Sequence, residues 1–219
     1  AKRFSTKSKK IHVDIDPGEF GKIYKPTLGF VGDAKLVLTQ LLAALDAKKI
    51  DKTDFREQPR FQEIDGRKNE WLAALEETTA SDASPINPFR VMREINAVLP
   101  PDGIVTGGAG NNGEFAVHAL KSFQPATFLL SQKYSAVGCS FPIALGAKLA
   151  APDRPVVCIE GDGGVHYNVT ELAMAVKEKI PIIILIMNDG HLNANRQIAG
   201  VLFEDKQVWT ELNNPDWVA

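Results

Sequence analysis

The sequence predicts an α/β fold, a parallel sheet with helices on both faces, from two apolar runs and the stretch that joins them. Val156-Val157-Cys158-Ile159-Glu160 is a short apolar run ending in Gly161-Asp162-Gly163-Gly164. Asn168-Val169-Thr170-Glu171 then has the spacing of a capping box and predicts a helix reaching about Lys179. After Pro181, residues 182–187 are apolar without alternation, the pattern of a parallel strand buried on both faces. That run ends in Asn188-Asp189-Gly190. Strand, helix and strand in this order bring Asp162 and Asp189 to one carboxyl edge of the sheet, where open α/β sheets take their ligands.

The residue types at that edge suit a phosphate and a metal. Gly163 and Gly164 allow close backbone approach, and their N–H groups ahead of a helix N-terminus favour an anion. Hard oxygen donors beside a phosphate suggest Mg²⁺ bridging the two. Either feature alone reads equally as a tight turn or a loop residue; their joint position on neighbouring strands argues for a site. Gly161-Asp162-Gly163, with Asp189 27 positions after Asp162 (189 − 162), resembles the thiamin-diphosphate-binding motif, whose second element is an Asn-Asn-like pair. Glu171-Leu172 and Pro181 also stand where that motif has them. The resemblance is to the acetolactate synthase-like family, which includes pyruvate oxidases, benzoylformate and oxalyl-CoA decarboxylases and 2-hydroxyacyl-CoA lyases. It covers nearly all of the chain except about residues 51–84.

Composition excludes several other classes. With 219 residues and a net charge of −2, the chain has no electrostatic case for nucleic acid or a membrane surface. Its two cysteines, Cys139 and Cys158, are too few and too far apart for a disulfide framework or zinc site, so a cytoplasmic, soluble protein is expected. The longest apolar run, residues 180–187, cannot span a bilayer, and no signal peptide is expected.

From its start, the chain carries five basic side chains in residues 1–10, read as a solvated connector. Residues 11–17 follow as strand and turn, and Leu36, Leu41, Leu42 and Leu45 mark an amphipathic helix after Gly32-Asp33-Ala34. This segment is similar to the end of the family's Rossmann-like central domain, with Gly21-Lys22 also matching. Residues 1–50 are therefore expected to be the C-terminal part of that domain, without an independent core. Residues 51–84 are polar and charged, with an apolar patch at Trp71, Leu72 and Leu75, and read as an interdomain linker holding one helix. Residues 85–219 are expected to be the diphosphate-binding domain, cut short at its C-terminal end after Asn214-Pro215-Asp216-Trp217.

Within that domain, residues 88–99 predict a helix stopped by Pro100-Pro101, and residues 104–106 a strand leading into Gly107-Gly108-Ala109-Gly110-Asn111-Asn112-Gly113. Gly108, Gly110 and Gly113 spell G-x-G-x-x-G, so a non-catalytic dinucleotide-binding module is the alternative from a different class. That pattern wants an acidic residue about 20 positions on, and residues 123–137 contain no Asp or Glu. The resemblance instead implies that Asn111 and Asn112 contact the diphosphate; without it, they read equally as holders of a turn.

Residues 131–151 predict loop then helix. On the family's pattern, Val137 stands where a bulky apolar wedge folds the cofactor, and Ser135 where a carbonyl, usually of Gly, meets the cofactor's amino group. Without the family, Val137 is ordinary core. Asp162 and Asp189 match the metal-binding side chains, and His191 matches a residue offering its backbone carbonyl to the metal. His12 and His118 read as structural, and no Ser-His-Asp or Cys-His arrangement is suggested.

The resemblance implies thiamin diphosphate and Mg²⁺ as cofactors, a small-molecule 2-keto acid substrate, and carboligation or decarboxylation. A 2-hydroxyacyl-CoA lyase or oxalyl-CoA decarboxylase is the nearest variant. It also implies a homodimer or homotetramer, and a pyrimidine-binding domain from elsewhere that supplies the catalytic Glu. This chain alone is therefore expected to hold no catalytic residue and to be inactive. FAD is possible in such enzymes and is not legible here.

Overall fold

The computed structural model describes residues 5, 7–49, 54–131, 134–204 and 206–217. Half of the basic run at residues 1–10, and residues 50–53 of the polar interval, lie outside the described residues. The chain divides into two compact units, Ala1–Ile64 and Asp65–Ala219.

In the first unit, β1 (Ile11–Asp14) and β2 (Leu28–Val31) pair in parallel, with Ile11 opposite Leu28. Helix α1 (Ala34–Ala47) opens where the Asp33 carboxylate accepts the Leu36 N–H at 3.0 Å, an N-cap typically contributing about 1 kcal/mol. Leu36, Leu41, Leu42 and Leu45 remain 40–62% exposed, and none of this unit's described residues is buried. Helix α2 (Pro59–Thr79) begins in this unit and continues into the next.

The second unit holds a four-stranded parallel sheet of β3 (Ile104–Gly107), β4 (Phe128–Leu130), β5 (Val156–Gly161) and β6 (Ile183–Met187). The strand order is β4-β3-β5-β6. Helices α3 (Pro88–Val98), α4 (Asn111–Ala119), α5 (Ser140–Ala150), α6 (Asp162–Asn168), α7 (Glu171–Lys177) and α8 (Asn193–Leu202) connect and flank it. Side-chain alternation along β3 and β5 splits the core in two. Ile104, Val156 and Cys158 pack on Phe141, Ala144 and Leu145 of α5. Val105, Val157 and Ile159 point the other way, onto Met92 and Ile95 of α3 and Ala116 of α4. At about 1.5–3 kcal/mol for each large buried side chain, these two layers dominate the unit's stability. Among the described residues, no helix is long and apolar enough to cross a membrane.

Two sequence expectations need correction. Strand β6 packs on both faces but is only half-buried. Ile184 packs on one layer and Leu185 and Met187 on the other, but β6 ends the sheet among the described residues and Ile183 is 59% exposed. The capping box also does not form. The chain turns helical at Asp162, straight after the extended Gly161, so Gly163 and Gly164 lie in the first turn of α6. Asn168 ends that helix and donates its amide to the Gly138 carbonyl at 2.8 Å. Helix α7 starts at Glu171 without a side-chain cap and ends at Lys177, short of Lys179.

Candidate functional site

The connections of β3 and β5 leave on opposite faces. The chain after β3 enters α4, which packs with α3, whereas the chain after β5 passes through α6 to α7, whose Ala175 packs on the α5 layer. Strand order reverses between β3 and β5, and a crevice opens at such a switch point. A cleft of about 730 Å³ stands there. Its walls include all nine residues singled out from the sequence: Asn111, Asn112, Ser135, Val137, Asp162, Gly163, Gly164, Asp189 and His191.

Asp162, 2% exposed, is the first residue of α6. Its Oδ2 accepts from the Gly190 N–H at 2.9 Å and from Asn214 Nδ2 at 2.6 Å. Register pairs Gly161 with Met187, which puts Asp162 and the Asn188-Asp189 turn at adjacent strand ends. The exposed Asp189 accepts from the His191 N–H at 3.0 Å and from Asn193 Nδ2 at 2.7 Å. The His191 ring turns back to its own loop, Nδ1 donating to the Asp189 carbonyl at 2.8 Å. Among the described residues, no three His, Cys, Asp or Glu side chains gather into a metal cluster.

Asn112 is buried at the start of α4, and its amide turns inward to the Ile159 carbonyl at 3.4 Å and toward Glu160. Asn111 stands beside it on the cleft wall, half-buried. Val137 is 44% exposed in the same cleft rather than in a core layer. Ser135 has φ of +46°, a left-handed conformation that suits Gly better than a residue with a Cβ. Gly138 packs so tightly on α6 that a Cβ there would come within 2.7 Å of the Gly164 carbonyl.

Two residues at this site escaped sequence reasoning, Asn214 on the Asp162 carboxylate and Glu160. Glu160 is 1% exposed, and its carboxylate accepts the Ser140 N–H at 3.1 Å and the Gly161 N–H at 3.2 Å. Burial pushes it up to about 7, against the pull of those donors and Asn112. A Cβ on Gly108 or on Gly164 would fall 1.9 Å and 2.2 Å from its Oε1. Glu160 therefore joins the three loops that build the cleft. The available signal was parity: residues 156, 158 and 160 share one face, so a lone acid there must be buried.

Residues 108–219 match the family described as "Thiamine pyrophosphate enzyme, C-terminal TPP binding domain". The chain belongs to this thiamine pyrophosphate enzyme family. Among its relatives, the probable acetolactate synthase large subunit of Methanococcus aeolicus is 32% identical over 99% of this chain and 37% of its own length. The acetolactate synthase large subunit of Corynebacterium glutamicum is 33% identical over 98% of the chain and 34% of its own. The corresponding probable subunit of Methanocaldococcus jannaschii is 35% identical over 98% and 36%. The chain thus spans about a third of the length of the curated relatives it matches. Membership in this thiamine pyrophosphate enzyme family, together with the absence of an acidic residue at 123–137, counts against reading the glycines at 108, 110 and 113 as a Rossmann module.

Proposed function

We propose that the cleft binds the diphosphate of thiamin diphosphate through Mg²⁺, as part of an acetolactate synthase-like enzyme acting on 2-keto acids. The observation that carries this is the delivery of Asp162 and Asp189 by adjacent parallel strands to a cleft where Gly163 and Gly164 present first-turn N–H groups. The residues fit the group. Asp162 has one oxygen committed to Gly190 and Asn214, which leaves the other for a metal. Asp189 and the His191 carbonyl are further oxygen donors, and Mg²⁺ takes few protein oxygens together with phosphate and water. The turn admits only glycine at 163, where a Cβ would lie 2.5 Å from Leu192 Cδ2 and 3.3 Å from Leu212 Cδ1.

In this proposal Asn111 donates to the diphosphate, while Asn112 holds the loop from within. Val137 shapes the cofactor from the cleft wall, and the positive φ of Ser135 turns its carbonyl for the cofactor's amino group. Thiamin diphosphate, when bound, supplies the carbon nucleophile that attacks a keto carbonyl; the chain's part is to bind and orient it. A pyrimidine-binding domain from a partner completes the site in a homodimer or homotetramer. The two free cysteines agree with a reducing cytoplasm.

Calorimetric titration tests the proposal. Thiamin diphosphate should bind with Mg²⁺ and not with EDTA, and NAD should give no saturable heat. NAD binding, or thiamin diphosphate binding indifferent to Mg²⁺, overturns it. The partner domain is tested by supplying pyruvate to the chain with cofactor and Mg²⁺; acetolactate formation by the chain alone removes that part of the reading.

A further inference from the structure

After α8 the chain comes back across the Asp162 side of the cleft. Leu192 N–H donates to the Thr210 carbonyl at 2.7 Å and Leu212 N–H to the Gly190 carbonyl at 2.8 Å, around an antiparallel bridge between His191 and Glu211. This strap ends in Asn214, which lies 52 positions from Asp162 and yet meets it. Asn214 Nδ2 donates to Asp162 Oδ2 at 2.6 Å and to Asn188 Oδ1 at 2.8 Å. On its other side, Asn214 Oδ1 stands 2.8 Å from His166 Nε2, and the His166 ring packs edge-on to Trp217 with centroids 5.1 Å apart.

The donor inventory settles the orientation. A carboxylate only accepts, so the Asn214 NH₂ must face Asp162, and its carbonyl must then meet an N–H. His166 therefore carries a proton on Nε2. One amide thus joins the first carboxylate of the site to the residue before the second, and the strap's own hydrogen bonds hold that amide in place.

We infer that Asn214 is a positioning residue for the divalent metal. It locks the Asp162 rotamer with one oxygen turned to the ion, and it ties Asn188, and with it the Asp189 turn, to the same point. This rests on the proposed Mg²⁺–diphosphate site. Hydrogen-bond partners behind a metal ligand commonly change metal affinity 10–100-fold when removed. A strap that served only for folding would change stability and leave the metal requirement alone.

The experiment measures the Mg²⁺ concentration needed for half-maximal thiamin diphosphate binding, with thermal denaturation of each protein alongside. Asn214→Ala should raise that requirement roughly 10–100-fold while affinity at saturating Mg²⁺ changes little. Asn214→Asp, which sets a second carboxylate against Asp162, should raise it at least as far. Leu145→Ala removes a buried side chain from the α5 layer, away from the cleft; it should lower the melting temperature and leave the Mg²⁺ requirement where it was. An unchanged requirement in Asn214→Ala, or an equal shift in Leu145→Ala, overturns the inference. If Asn214→Ala does not fold, Asn214→Asp takes its place. Loss of fold in both that high Mg²⁺ does not restore assigns Asn214 a structural role and overturns the inference too. Failure of the parent chain to bind thiamin diphosphate with Mg²⁺ sinks the underlying site reading, a separate and recognisable result.

Discussion

Substituting Gly164 by Ala tests the role of Glu160 as the junction of the cleft loops. The new Cβ would lie 2.2 Å from Glu160 Oε1 and 2.5 Å from its Cδ. The carboxylate has no room to retreat, because Gly108 backs it on another side and the Ser140 and Gly161 N–H groups hold both oxygens. Overpacking typically costs about 1–3 kcal/mol. Loosening two hydrogen bonds to a partly charged acceptor adds about 1–3 kcal/mol more. Against this, Ala in place of Gly inside α6 returns about 1 kcal/mol of helix propensity. The net expected loss is about 1–5 kcal/mol, read from urea denaturation followed by circular dichroism. In a Glu160→Ala background the clash is gone and only the propensity gain remains, so Gly164→Ala should become neutral or stabilising by up to about 1 kcal/mol. The same cost in both backgrounds would refute the packing argument.

Three further outcomes follow from the site. Because burial raises the Glu160 carboxyl to about 7, the folded state binds its proton more tightly than the unfolded chain does. Stability of the metal- and cofactor-free protein should therefore be highest below about pH 4.5 as far as this group is concerned. It should fall by about 3 kcal/mol as pH rises through 7, and denaturation of Glu160→Gln should lack that slope. Asp189→Asn should keep cofactor binding at saturating Mg²⁺ and relax the metal requirement. The amide removes a like charge that faces Asp162 and an anionic diphosphate, so less metal is needed to offset repulsion; loss of binding at saturating Mg²⁺ would give Asp189 another role. Ser135→Gly should raise stability by about 0.5–1 kcal/mol by relieving the φ of +46°, and a loss measured by denaturation would show that the Ser135 side chain stabilises the loop by more than that strain costs.

Legibility from sequence followed the range of the interactions. Strands β3 and β5, helix α3 and the parallel pairing of β5 with β6 came from local periodicity and turn residues, which the two buried layers enforce. The Asp162 and Asp189 placement was legible because a strand end is specified by the residues around it. The helix after Asp162 was misread because Asn168-Val169-Thr170-Glu171 imitates a cap, while the Asn168 amide is drawn to Gly138, 30 positions away. Glu160 looked like the polar end of an apolar run, although its parity with residues 156 and 158 sets it on a face that the pairing of β5 with its neighbours encloses. Asn214 has no local signal, since its partners lie 26, 48 and 52 positions away.

The central claim, that Asp162 holds a metal-bound diphosphate in this cleft, is tested most directly by phosphorus NMR of thiamin diphosphate titrated with the protein. With Mg²⁺ present, both phosphorus resonances should shift and broaden on adding the parent chain. They should return to their free positions with EDTA, and Asp162→Ala should leave them unmoved at any Mg²⁺ concentration while retaining its circular dichroism spectrum. Equal shifts for a folded Asp162→Ala, or none for the parent chain, would contradict the account.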